Sequence, residues 1–275
     1  MNELQQMEFD LLREFDRVCK RLQLSYFLVC GSALGAVKYG GFIPWDDDID
    51  VAMYREDYER FCREAPDLLP GHLFVQNFRS DPAFPHIYSK LRNSNTTYIE
   101  QSAARLPINH GIFLDVFPLD GYPKGRIAGK ILDFCKRLCV SILLSAYDLP
   151  DSGARKLWRA LGLHRCSRTV VKILDRMIRR YRVEDSKLIC NHGNWQGALE
   201  YAPAWQYGTG KEAAFEGMAV RIPEQFDAYL RQKYGDYTAE LPCEEQVGHH
   251  PPVVMDCSRS YISYREKTDI SKRRG

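Results

Sequence analysis

The sequence lacks what several protein classes require. Nowhere in its 275 residues is there a run of about eighteen uncharged apolar residues, which excludes a membrane-spanning helix. The N-terminus, MNELQQMEFDLLREFDR, has no apolar leader segment, so no secretory signal is expected. The nine cysteines are odd in number and contain no C-x-x-C pair. The expectation is reduced thiols in a cytoplasmic chain, not a disulfide framework. Internal repeats and low-complexity tracts are absent too. With 45% hydrophobic and 27% charged residues, the chain can bury a sizeable core.

The formal net charge of +2 hides an asymmetry. Residues 154–182 hold ten Lys/Arg and one acid, Asp175, a local charge of +9 that leaves −7 for the rest. Such a basic block predicts a partner surface. Within it, Val170, Ile173, Leu174, Met177 and Tyr181 share one helical stripe and the cations take the other faces. A basic amphipathic helix over 166–182 fits peripheral contact with an anionic membrane. No nucleic-acid reading motif accompanies it, so no nucleic-acid partner is expected.

Hydrophobic spacing predicts the elements. Leu4, Met7, Leu11, Phe15, Val18 and Leu22 mark an amphipathic helix over 3–23. Strands are expected at 25–30, 48–53, 73–78, 86–92, 96–100 and 112–117, with short helices at 32–38 and 56–64. The second half is richer in helix, at 126–146, 166–182 and 223–234, with a strand at 218–222 and an irregular stretch over 243–261. The pattern is mixed α/β (α+β), with a sheet of five or six strands flanked by helices. A catalytic core over 1–123 and a helical and C-terminal region over 124–275 form the expected organisation, and 148–153 is the best candidate boundary within the second part.

The densest chemistry lies in CGSALGAVKYGGFIPWDDDIDVAM, residues 30–53. Asp46, Asp47, Asp48 and Asp50 fall within five positions, a costly arrangement unless cations or solvent compensate. On a strand, Asp48 and Asp50 share a face while Ile49 and Val51 anchor in the core. Paired hard oxygens on a rigid face suit Mg²⁺ or Mn²⁺. Upstream, Gly31-Ser32 between a strand and a helix is a candidate phosphate cradle. A cradle beside a dicarboxylate suits metal-assisted phosphoryl or nucleotidyl transfer. Asp115 interrupts the apolar strand IFLDVF and is the candidate third carboxylate, because an isolated acid there is expensive without a partner. Asp120, before Gly121, reads as a turn residue.

These segments resemble the LicD family, which also takes in fukutin and fukutin-related proteins. The resemblance rests on Gly31, Gly35-Ala36, Lys38, the run Gly41-Phe42-Ile43-Pro44-Trp45 and the four aspartates, then on FLDVFPLDG around Asp115. A C-terminal block with Phe215-Glu216-Gly217, Ile222-Pro223, Tyr234-Gly235-Asp236-Tyr237 and Leu241-Pro242 extends it, with Cys243 where a second proline is usual. It implies a nucleotidyltransferase-like core that moves phosphocholine or a phospho-alditol from a CDP-linked donor to a glycan hydroxyl and releases CMP. It also implies a lipid-linked acceptor at the inner membrane face. The same carboxylates would serve true nucleotidyl transfer with release of pyrophosphate, and a non-catalytic glycan-assembly scaffold would not need them.

Secondary candidates complete the expected site. Lys90 and Arg92 alternate on a strand and could hold the donor pyrophosphate, with Lys38 a further cation. Trp45 could stack on a base. Asp47, Glu216, Asp236, His249 and His250 could contact substrate. Tyr201, Trp205, Tyr207, Tyr234 and Tyr237 could offer faces to a quaternary ammonium.

Overall fold

A computed structural model describes residues 1–147, 149, 152–193, 197–248 and 250–265. The amphipathic helix α1 (Glu3–Leu22) buries Leu11, Leu12, Phe15 and Val18 against the sheet. Asn2 caps it through the Gln5 N–H, and Gln23 ends it in the left-handed region. The short strand β1 (Phe27–Leu28) leads into α2 (Cys30–Lys38), followed by β2 (Asp50–Tyr54) and α3 (Arg55–Glu64). Then come β3 (Leu73–Gln76), β4 (Ser89–Asn93), β5 (Thr97–Glu100) and the long β6 (Ile112–Gly121). Three helices come next: α4 (Arg126–Leu144), α5 (Gly153–Ala160) and α6 (Ser167–Ile178). The chain continues through β7 (Leu188–Asn191), β8 (Tyr201–Pro203), α7 (Ala204–Tyr207), β9 (Lys211–Phe215), β10 (Met218–Ile222) and α8 (Phe226–Tyr234). It then reaches β11 (Pro252–Asp256).

The fold is mixed α+β. Its main sheet has seven strands, more than the five or six expected, ordered β1-β2-β6-β4-β3, with β7 and β8 continuing from β6. The β2–β6 pair is parallel and its neighbours are antiparallel. The extra strands β7 and β8 span only four and three residues, too short to show period-two patterning. They pair because the far half of β6, Leu119–Gly121, offers an open edge. The expected strand at 96–100 does not join this sheet. As β5 it pairs with β11, which lies inside the stretch expected to be irregular.

Three local readings change for physical reasons. Strand β2 begins at Asp50, so Asp48 lies in the loop before it, although the Asp115 N–H donates to Ile49 O at 2.9 Å and carries the extended pairing one residue upstream. Asp120 is not in a turn: it is 1% exposed on β6 and accepts two hydrogen bonds from Arg55, at 2.7 and 2.5 Å. Of the stripe expected over 166–182, Leu174 and Val170 pack with Val171 and Ile178 of α6 into a cluster with Leu143, Cys139 and Val140 of α4, whereas Ile173 stays 46% exposed, so the core takes up part of that face.

Candidate active site

Strand register builds the centre. Asp50 stands opposite Asp115 across the β2–β6 pair, and Lys90 stands opposite Asp115 across the β4–β6 pair. Two carboxylates and one ammonium therefore form a row across three strands. Asp48 approaches from the loop, and carboxylate oxygens of Asp48, Asp50 and Asp115 lie within 4.8 Å of one another. Two long-range contacts hold that loop. Gln5 Nε2 of α1 donates to Asp46 O at 3.1 Å, and Glu216 Oε1 accepts the Phe42 N–H at 3.0 Å. Glycine is required where these segments meet. A Cβ on Gly35 would stand 2.4 Å from Gly41 O, and one on Gly31 would stand 2.8 Å from Asp46 Oδ2.

The cluster is electrostatically crowded. Burial first, then Asp48 and Asp115, hold the Asp50 carboxyl well above the usual carboxylate range. Burial also raises Asp115, against the opposing pull of Lys90. Asp46 is pushed up to about 8 by burial and by Asp48 and Asp47. Glu8, buried on α1, is raised by burial and by the same acidic loop. Without a cation, burial and mutual repulsion make the ionised form of each of these groups costlier.

Two basic side chains and one histidine offset part of this charge. Lys90 Nζ lies 3.0 Å from Asp115 Oδ1 and 3.3 Å from the Phe113 ring centre. Even so, Asp115 Oδ1 is buried without a well-aligned hydrogen bond. Arg92 is engaged by Gln76 Oε1 at 2.8 Å and by Gly111 O at 2.7 Å. The β5–β11 ladder brings in His250, whose Nε2 lies 3.1 Å from Asp48 Oδ2 and Nδ1 3.3 Å from Glu100 Oε1. Burial disfavours the imidazolium, but the bonds to Asp48 and Glu100 prevail and push its pKa up to about 11. Its backbone N–H donates to Asp47 Oδ2 at 2.9 Å, and its carbonyl accepts the Tyr98 hydroxyl at 2.6 Å.

These groups line a cavity of about 470 Å³. Gly31, Trp45, Asp46, Asp48, Asp50, Lys90, Arg92, Glu100, Asp115 and His250 are among its lining residues. Phe84, His86, Tyr88, Phe117 and Tyr147 add a cluster of aromatic side chains, where the Tyr147 hydroxyl meets His86 Nε2.

Other expected residues lie elsewhere. Ser32 Oγ accepts the Asp50 N–H at 2.8 Å, ties α2 to β2 and does not line the cavity. Lys38 Nζ donates to Ala239 O at 2.7 Å and pairs with Glu240 at 3.2 Å, away from the carboxylates. Glu216 is a loop clamp, and Asp236 caps its own turn through the Thr238 hydroxyl at 2.6 Å. Asp47 anchors the His250 backbone. Of the five aromatics expected near an ammonium, Tyr234 lines the cavity. His249 lies outside the described residues. Glu100, Tyr88 and Tyr147 were missed by sequence reasoning. Alternation on the strand 96–100 could have flagged Glu100, but nothing local marks Tyr147, which follows α4.

The donor set fits a hard divalent cation. Asp48, Asp50 and Asp115 offer oxygens only, two of them carry raised pKa values, and one buried oxygen lacks an aligned partner.

Residues 23–120 match the model of the LicD/FKTN/FKRP nucleotidyltransferase domain, a span that holds both carboxylate segments and Lys90. Over nearly its whole length the chain is similar to the lipopolysaccharide cholinephosphotransferase LicD of Haemophilus influenzae. The two are 25% identical over 268 residues, covering 91% of this chain and 96% of that protein. A shorter similarity, 31% over 58 residues, links it to an uncharacterized protein of Rickettsia typhi and covers 21% of this chain and 19% of that one.

Proposed function

We propose that the chain is a LicD-type transferase that moves phosphocholine, or a related phospho-alcohol, from a CDP-activated donor to a glycan hydroxyl and releases CMP. The observation that carries this reading is the convergence of Asp48, Asp50 and Asp115 on a cavity that a cluster of aromatic side chains also lines. Bound by these three carboxylates, Mg²⁺ or Mn²⁺ would neutralise charge on the donor pyrophosphate. Lys90 and Arg92 add fixed positive charge on the neighbouring strand. Gly31, with no side chain, leaves the start of α2 open to the cavity. In transfer, the acceptor oxygen bonds to the distal phosphorus as its bond to the bridging oxygen breaks, and that oxygen leaves with CMP. The hydroxyl proton passes to a carboxylate of the cluster, Asp50 or Asp115. The faces of Tyr88, Phe117 and Tyr147 suit a quaternary ammonium.

The test is a product assay. With CDP-choline, Mg²⁺ and a glycan acceptor, the expected nucleotide product is CMP, read by chromatography. Thermal shift against CDP-choline, CDP-ribitol, CDP-glycerol and CDP-ethanolamine should pick out one donor by mass action. Pyrophosphate released from a nucleoside triphosphate, with no CMP from any CDP-linked donor, would overturn the reading.

A further inference from the structure

Helix α4 has two faces, and one of them is unused. Leu132, Lys136 and Leu143 are buried, and α5 and α6 both pack against the helix. Ile127, Ile131, Phe134 and Leu138 recur at spacings of three and four on another side, and they are 77%, 59%, 63% and 41% exposed. Single exposed apolar residues are ordinary, but a continuous stripe over three turns marks an interaction surface. Leu157 and Leu161 on and just after α5 add 50% and 61% exposed leucines to the same helical layer.

The charge beside the stripe selects the partner. Arg126, Lys130 and Arg137 are exposed and project along one flank of the stripe. Asp133, the one acid of α4, is drawn to the protein body by the hydroxyls of Tyr122 and Tyr201. Over residues 124–182 there are fifteen Lys/Arg against four Asp, a net charge of +11. An apolar ridge bordered by cations on a helix lying along the surface is the design of an interfacial membrane helix. Among the described residues no helix is long and apolar enough to cross a bilayer, so the contact is one of lying on, not spanning.

We infer that α4 docks the protein on an anionic lipid bilayer, with Ile127, Ile131, Phe134 and Leu138 in the acyl boundary and Lys130 and Arg137 at the headgroups. Leu144, the last residue of α4, and Tyr147 line the catalytic cavity. The docked helix therefore holds that cavity beside the bilayer.

Vesicle co-sedimentation tests this with the full chain. Wild type should bind vesicles of phosphatidylcholine mixed with phosphatidylglycerol, should release with added salt, and should ignore phosphatidylcholine alone. Lys130→Ala and Arg137→Ala should each lower partitioning about fivefold. Ile131→Asp with Phe134→Asp should abolish binding with an unchanged circular-dichroism melt, because both side chains are exposed. Absence of binding at low salt would overturn the inference, as would equal binding to neutral vesicles or binding unaffected by the double substitution. A concentration-dependent dimer that the same substitutions break, without vesicle binding, would assign the stripe to a second copy. None of these readouts uses transfer activity, so their failure leaves the proposed function standing.

Discussion

Asp115 and Asp120 sit on the same strand, five residues apart, and both are buried. Asp120 is held by the Arg55 guanidinium through two hydrogen bonds, and Arg55 also pairs with Glu59 at 3.1 Å. Asp115 has Lys90 on one side but Asp48 and Asp50 on the other. One carboxylate is saturated by a matched fork, and the other is left crowded with like charge. A buried acid whose geometry is fully answered is part of the frame. A buried acid left under repulsion holds free energy that a bound cation can release.

Substitutions can break this contrast. The largest effect is expected at the crowded end. Asp48→Asn or Asp50→Asn should reduce transfer by on the order of 10³-fold or more, while the melting temperature stays level or rises. Near-wild-type turnover by either variant would remove the cation-binding role from that residue. Asp115→Asn should behave the same way, with kcat falling far more than donor affinity.

The saturated end should respond in the opposite sense. Arg55→Ala strands Asp120 in the interior and should cost about 3–5 kcal/mol of stability in denaturant titration. The folded fraction should retain its kcat. If Arg55→Ala left stability unchanged but abolished turnover, the two ends would have exchanged roles.

Titration sharpens the comparison. Asp46 has its pKa raised from 3.8 to about 8. The native chain therefore holds a proton that the unfolded chain releases, and this contribution to stability is complete below 3.8 and is lost as pH rises through about 8. Asp46→Asn should thus gain stability relative to wild type as pH increases across that window. Paired melting curves through the acidic, neutral and mildly alkaline range would measure it, and a constant difference would contradict the crowding. The smallest effect is expected at Lys38, whose partner Glu240 is largely exposed. Lys38→Ala should change stability by about 1 kcal/mol or less and leave donor KM unaltered.

Much of the frame was legible because it is local. The period of Leu11, Phe15 and Val18 located α1, and short strand-like runs located most strands of the first half. The acidic loop was legible because four aspartates in five positions have few uses. Ends were less legible: β6 runs four residues past the expected 112–117 because β2 and β7 supply partners there, and pairing is a long-range property. Asp120 was misread because Asp-Gly usually turns, and an arginine 65 residues away overrode that preference.

By itself, the sequence determined the residue types at the site and the helix and strand periods that carry them, since both depend on neighbours along the chain. Only the tertiary structure decided which of those residues meet. Register set Asp115 against Asp50 and Lys90, the β5–β11 ladder delivered His250 and Glu100, and the end of α4 delivered Tyr147. The same packing drew Lys38, Ser32 and Glu216 away to hold backbone in place. Their spacing in the chain carried no sign of this, because whether a polar group serves a ligand or the fold depends on which buried partner reaches it first.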